Sequence, residues 1–146
     1  KLVGAVSEDV LESLAVFGLT ENYKTLGYVS HQEAIQIQHD AQVLLLVEMD
    51  SPETKSIIPG KLFEYVAANR PILALGPEGS DVEGIIKETN TGMYFKYTDK
   101  EKLKQQLQLY YEAYLKANLN VNSKNIEKYS RSTLTKSLST ILLNIK

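Results

Sequence analysis

The chain has 146 residues, of which 43% are hydrophobic and 23% charged, and it carries a formal net charge of -2. These values are typical of one globular domain over 1–146 and argue against a disordered chain or a coiled coil. Because the charges are mixed, we expect no nucleic-acid partner. The absence of cysteine excludes disulfides and cysteine-based zinc sites, and no apolar run reaches the roughly 20 residues that span a bilayer.

Strand-like and helix-like segments alternate along the chain. The predicted strands cover 2–6, 23–29, 41–48, 71–75 and 93–97. The predicted helices cover 8–17, 30–38, 59–68, 80–88, 98–117 and about 123–145. The continuous apolar run at 43–47 is typical of a strand that is buried on both faces of a parallel sheet.

Several predicted helices begin at a residue that can cap them. Ser7 is a candidate N-cap, and Pro59 suits a first helical turn because its missing N–H costs nothing there. Three further starts show the capping-box pattern, with a glutamate three positions after a serine or threonine. These pairs are Ser30 with Glu33, Ser80 with Glu83, and Thr98 with Glu101.

This alternation predicts an α/β fold, a doubly wound and mostly parallel sheet of Rossmann-like type with helices at its C-terminal end. In such sheets ligands bind beyond the carboxyl ends of the strands. The loops that follow residues 29, 48, 75 and 97 are therefore the places to look for function.

The loop and helix start at 56–65 have the features of an anion site. Lys61 lies in a first helical turn, where a cation is disfavoured by roughly 0.3–1 kcal/mol unless an anion binds there. Free backbone amides and a lysine suit a phosphate or diphosphate, and Gly60 lets the anion approach the backbone. Glu64, on the same helix face, can accept hydrogen bonds from ribose hydroxyls. The alternative is a solvated Lys61–Glu64 pair beside an ordinary turn.

The stretch that runs from Gly60 to Ala74, Gly-Lys-Leu-Phe-Glu-Tyr-Val-Ala-Ala-Asn-Arg-Pro-Ile-Leu-Ala, resembles the C-terminal domain of GT-B glycosyltransferases of the family 4 type. Gly27-Tyr28-Val29-Ser30-His31 is similar to the second signature strand of that family. Tyr129-Ser130-Arg131 with Leu134-Thr135 resembles its closing helix. The resemblance implies a domain that binds a nucleoside diphosphate sugar, such as a UDP or GDP sugar, with strand order 3-2-1-4-5-6 in the whole domain.

By this resemblance, Glu64 binds the donor ribose, Gly60 and Lys61 lie near the diphosphate or sugar, and the backbone around Tyr28 and Val29 meets the base. Ser56 stands where many family members have a second glutamate near the donor sugar. The resemblance also implies that no metal or cofactor is needed, and it assigns no catalytic residue here.

The sequence begins inside a predicted strand and without methionine. We therefore expect a fragment that lacks the family's first strand and its N-terminal acceptor domain, and that is inactive alone. The acceptor, a sugar or lipid-linked glycan in polysaccharide biosynthesis, would bind that absent domain. The expected location is cytoplasmic, with peripheral association at the inner membrane face left open. We also expect the apolar strip of the last helix to be uncovered.

Other interpretations of the sequence remain open. A sugar-nucleotide epimerase shares the GT-B fold but needs further acid–base groups. A non-catalytic flavodoxin-like or receiver-like module is the alternative from another class; Asp50 follows a strand, but the first strand is followed only by Ser7-Glu8-Asp9. His31 and His39 have no carboxylate cluster around them, and 78–81 is typical of a turn and helix cap.

Overall fold

The computed structural model describes residues 1–145, which form an α/β structure with six α-helices and a three-stranded parallel sheet. The α-helices are α1 (Glu8–Val16), α2 (His31–Asp40), α3 (Lys61–Ala68), α4 (Asp81–Thr89), α5 (Lys100–Leu115) and α6 (Arg131–Leu143). The strands are β1 (Leu44–Val47), β2 (Ile72–Leu75) and β3 (Gly92–Phe95). Short 3-10 helices occur at Thr20–Asn22, Pro52–Thr54 and Ile126–Tyr129. The predicted fold class is confirmed.

The chain divides into two compact units, Lys1–Ile37 and Gln38–Lys146. In the first unit, the two strands predicted at 2–6 and 23–29 are wrong as extended strands. They are joined by one parallel bridge, between Leu2 and Thr25, and by a further backbone hydrogen bond from Gly4 N to Gly27 O at 2.8 Å. Gly4 and Gly27 follow this bridge with φ values of 96° and 65°, a left-handed backbone that cannot continue a pleated strand.

The sheet of the second unit has the strand order β1-β2-β3, and every neighbouring pair is parallel. Its first register pairs are Leu44 with Ile72 and Ile72 with Gly92. The strands predicted at 41–48, 71–75 and 93–97 are thus present in shorter form. Since α3 joins β1 to β2 and α4 joins β2 to β3, the carboxyl ends of all strands meet at one edge.

The hydrophobic core lies between the sheet and the helices α3 and α4. It consists of aliphatic side chains that are at most 6% exposed: Leu46, Leu62, Val66, Ile72, Ala74, Val82, Ile85 and Ile86. Burial alternates along β1, where Leu44 and Leu46 are buried but Leu45 and Val47 are exposed, so the predicted burial of this strand on both faces is wrong. The helix residues of the core recur at helical spacing, so α3 and α4 each turn one apolar face to the sheet. This packing holds the start of α3 at the carboxyl edge of β1.

The helices α5 and α6 contain no fully buried residue. The apolar strip predicted on the last helix is uncovered, as expected, with 51–70% of each side chain exposed: these residues are Leu134, Leu138, Ile141, Leu142 and Ile145. Among residues 1–145, none of the helices combines the length and apolar character that crossing a membrane requires.

Of the capping boxes predicted at Ser30 and at Thr98, the first is present in the structure and the second is not. At α2 the capping box is present, because Ser30 N donates to Glu33 Oε2 at 2.9 Å and Glu33 N donates to Ser30 Oγ at 3.2 Å. The box predicted at Thr98 is wrong: α5 begins at Lys100, and Asp99 Oδ2 instead accepts from Lys96 N at 3.2 Å. This local turn delays the helix by about one residue.

Candidate anion site at the start of α3

The start of α3 is a helix end without a side-chain cap. Gly60 is the N-cap, and no side chain bonds to the first turn. Leu62 N and Phe63 N donate to Pro59 O and Gly60 O at 2.9 and 3.2 Å. The backbone amides of Gly60 and Lys61 have no hydrogen-bond acceptor within residues 1–145. Both residues are exposed, and their N–H groups lie at the positive end of the helix dipole.

Lys61 is the first residue of α3 and carries a cationic side chain. The side chain is exposed and forms no ion pair or hydrogen bond with any other residue in the described range. Lys61 is therefore not half of a Lys61–Glu64 ion pair, which was the structural alternative. An unpaired cation at the positive end of a helix leaves the site electrostatically suited to an anion.

Glu64 is half-buried one turn further along α3. Its Oε2 accepts a hydrogen bond of 2.9 Å from Gln38 Nε2, near the C-terminal end of α2. The carboxylate is thus oriented by a neutral amide rather than neutralised by a cation. A carboxylate has roughly four lone-pair sites, so acceptor capacity remains for other donors. Gln38 carried no signal in the sequence that would have linked it to Glu64.

The neighbouring helix α4 has the opposite kind of start. Asp81 N donates to Lys55 O at 2.9 Å, Val82 N donates to Ser80 Oγ at 3.1 Å, and Gly79 N donates to Glu83 Oε2 at 3.0 Å. These amides are all occupied. The segment 78–81 is therefore a turn and helix cap, in agreement with the plainer interpretation of its sequence, and α4 offers no free amide cluster.

A buried polar cluster lies at the carboxyl ends of the three strands, and sequence reasoning missed it. Its centre is Glu48, which is only 8% exposed. Glu48 Oε1 accepts from Ser80 Oγ at 2.7 Å, and Oε2 accepts from Tyr94 OH at 2.7 Å. Tyr97 OH donates to the Glu48 carbonyl. The signal in the sequence was a carboxylate directly after the apolar run that forms β1.

Gly76 leaves room for this cluster. A Cβ added at Gly76 would lie 2.6 Å from Glu48 Oε2 and would also collide with the Tyr94 hydroxyl. Burial, followed by the hydrogen bond to Glu48, raises the pKa of Tyr94 well above its usual range. Tyr94 therefore keeps its proton at all ordinary pH values.

The remaining predicted site residues are distributed over both units. Ser56 is exposed in the loop that precedes α3. The start of this loop is held by the hydrogen bond of Thr54 Oγ1 to Met49 O at 2.9 Å. In the first unit, Tyr28 is 86% exposed and Val29 is half-buried. The structure thus places Ser56, Gly60, Lys61 and Glu64 along one loop and helix start of the second unit.

Within residues 1–145, no group of three or more histidine, aspartate or glutamate side chains is arranged to hold a metal ion. Comparison of the chain with protein-family models, with curated proteins and with solved structures finds no match.

Proposed function

We propose that this chain binds a nucleoside diphosphate sugar and is the donor-binding half of a glycosyltransferase. The observation that carries this proposal is the uncapped start of α3, where two free amides and an unpaired lysine lie together at the carboxyl edge of the sheet. That edge is where doubly wound sheets bind ligands. The similarity of residues 60–74 to family 4 of the GT-B glycosyltransferases supports the same function.

The diphosphate is the part of the donor that the start of α3 would bind. The amides of Gly60 and Lys61 donate to phosphate oxygens, and the Lys61 ammonium offsets their charge. Glu64 then accepts hydrogen bonds from the ribose hydroxyls, while Gln38 keeps the carboxylate in its orientation. Charge stabilisation at the leaving diphosphate would come from these groups rather than from a metal ion.

In the whole enzyme, glycosyl transfer would take place between this chain and a second domain that binds the acceptor, a sugar or a lipid-linked glycan. Closure of two domains commonly completes such a site and excludes water. We therefore propose that the isolated chain binds the donor but turns over no substrate.

A pair of matched lysine variants tests the site. Lys61 and Lys100 are each the exposed first residue of a helix, but Lys100 follows Asp99, whose carboxylate opposes an anion there. We expect Lys61→Ala to weaken UDP or GDP binding about tenfold or more, the loss typical of one charge-assisted hydrogen bond. Lys100→Ala should leave the affinity unchanged, as isothermal titration calorimetry on the whole chain would show.

The same titration separates the proposed function from its alternatives. Glu64→Ala should weaken binding of the nucleotide but not of inorganic pyrophosphate, because the carboxylate contacts the ribose. Equal losses for Lys61→Ala and Lys100→Ala would show that binding is non-specific electrostatic attraction. Binding of FMN in place of UDP and GDP would favour a flavodoxin-like module and contradict the proposed function.

A further inference from the structure

A cavity lies at the edge of the sheet opposite to the start of α3, where β2 and β3 begin. Its volume is about 300 Å³, and Pro71, Gly92 and Met93 line it on the side of the sheet. None of Ser56, Gly60, Lys61 and Glu64 lines it. Pockets for small molecules range from roughly 300 to 1,000 Å³, so this cavity has the size for one ring and not for a nucleotide.

One wall of the cavity is a helix face. Gln106 and Tyr110 both line it, and they lie four residues apart on α5, which places them on the same side of that helix. Both side chains are half-buried, whereas their neighbours Gln105 and Tyr111 are exposed. The helix therefore presents one amide and one phenol to the cavity.

The other wall is the segment 120–122, which hydrogen bonds hold in place. Asn90 Nδ2 donates to Asn122 O at 2.7 Å, and Lys124 N donates to Thr89 O at 2.8 Å. Ser123 Oγ donates to Asn69 Oδ1 at 3.0 Å. Asn69 and Asn90 are the left-handed C-caps of α3 and α4, with φ values of 53° and 51°. Two helix ends therefore fix this wall.

The chemistry of the lining is neutral and mixed. The ten residues that form the cavity include four carboxamide side chains and one tyrosine, together with apolar groups, and none of the ten is charged. Within residues 1–145, the Gln106 amide and the Tyr110 hydroxyl make no hydrogen bond. Burial raises the pKa of Tyr110, so its hydroxyl remains a donor.

We propose that this cavity binds an uncharged, hydroxyl-rich ring, a monosaccharide or one sugar unit of a glycan. Carboxamides both donate and accept hydrogen bonds, which matches hydroxyl groups that do the same. The Tyr110 ring and Met93 offer apolar surface for the C–H face of a sugar ring. The lack of charge in the lining gives no compensation for a buried phosphate, carboxylate or ammonium group. This site is independent of the donor site at α3.

The test is an NMR titration of the whole chain with glucose, galactose and N-acetylglucosamine, with glucuronic acid, glucosamine and uridine as controls. We expect a neutral sugar to shift the side-chain amide signal of Gln106 and the backbone amides of 120–122. A stronger response to a disaccharide than to a monosaccharide would identify the ligand as the end of a glycan. A stronger response to the monosaccharide would identify it as a free sugar, and either result supports the site. No response to any neutral sugar, or a stronger response to uridine or a charged sugar, would overturn it.

Adjacent residues on α5 supply matched variants. Tyr110→Phe and Gln106→Ala should each weaken binding of the sugar about three- to tenfold, as expected for the loss of one hydrogen bond. Tyr111→Phe and Gln105→Ala change the same residue types outside the cavity and should leave the affinity unchanged. If each cavity variant binds the sugar as well as its neighbouring control, the sugar binds elsewhere and the inference is wrong.

Discussion

Glu48 is a buried carboxylate that has no cationic partner among residues 1–145, and hydroxyl groups take the place of a cation. Ser80 and Tyr94 each donate to one of its oxygens. These donors come from the cap of α4 and from β3, so a single side chain connects β1, α4 and β3 at the carboxyl edge. A buried charge loses hydration, and its remaining hydrogen bonds must compensate for that loss.

Removal of one of these donors should therefore destabilise the fold. We expect Tyr94→Phe to lower the free energy of unfolding by about 1.5–3 kcal/mol, the range for hydrogen bonds to charged groups. Urea denaturation would measure the change. Tyr65→Phe is the matched control, since Tyr65 is half-buried but its hydroxyl makes no hydrogen bond within residues 1–145. Equal stability of the two variants would show that the Tyr94–Glu48 contact contributes nothing.

At the scale of single residues, the sequence identifies candidate site residues better than it identifies the residues that they contact. Gly60, Lys61 and Glu64 could be singled out because their properties depend on a helix start that local signals reveal. The partners of Glu64 and Glu48 lie 26, 32 and 46 residues away in the chain. Contacts at such separations depend on how the elements pack, which a single sequence does not specify residue by residue.

The helices α3 and α4 show how two similar crossovers acquire different starts. Both follow a strand of the same sheet and both pack on the same core. Ser80 caps α4 through Val82 N, whereas Gly60 has no side chain with which to cap α3. The amides of Gly60 and Lys61 are therefore free, whereas those of Asp81 and Val82 at the start of α4 have acceptors. The sequence indicates this difference, because serine is a favoured N-cap.

The contact between α4 and the turn Ile126–Tyr129 should make stability depend on acid pH. Hydrogen bonds from Lys128 and then Tyr129 lower the pKa of Glu88 below its ordinary value of 4.5. The unfolded chain therefore takes up the proton first as the pH falls. The stabilising contribution is present above the ordinary pKa and is lost as the pH drops through the lowered one.

Lys128→Met should weaken this pH dependence. We expect its urea midpoint to fall less steeply than that of the unmodified chain between about pH 5 and pH 3. Lys124→Met is the control, because the Lys124 side chain is exposed and forms no ion pair within the described residues. Identical slopes for Lys128→Met and the unmodified chain would mean that Lys128 does not set the pKa of Glu88.

Element types are predicted well by periodicity and caps, and element ends less well. The apolar run at 43–47 and the pattern at 71–75 correspond to β1 and β2. The prediction that the first of these strands is buried on both faces is wrong, because Leu45 and Val47 are 55% and 52% exposed. The pattern does not show where pairing stops. The segments 2–6 and 23–29 have strand-like residues, yet glycines at 4 and 27 adopt positive φ and limit them to one bridge.

For the whole molecule, the observed sheet agrees with the predicted doubly wound class. The three described strands are all parallel and pair in the order β1-β2-β3. The cavity lined by Gln106 and Tyr110, for which we propose a sugar ligand, lies at the amino edge of the sheet, away from the loops where the fold class predicts ligands. The general rule for ligand position therefore does not predict this cavity. One wall of the cavity depends on the left-handed C-terminal ends of α3 and α4.

The central claim is that the start of α3 binds a nucleoside diphosphate, and amide-resolved NMR of the whole chain tests it most directly. Titration with UDP and with GDP should shift the backbone amides of Gly60 and Lys61 most, with smaller shifts at Glu64 and at the Gln38 side chain. The amides at the capped start of α4 should move little. Shifts centred on Asp81 and Val82, or no shifts with either nucleotide, would contradict the claim.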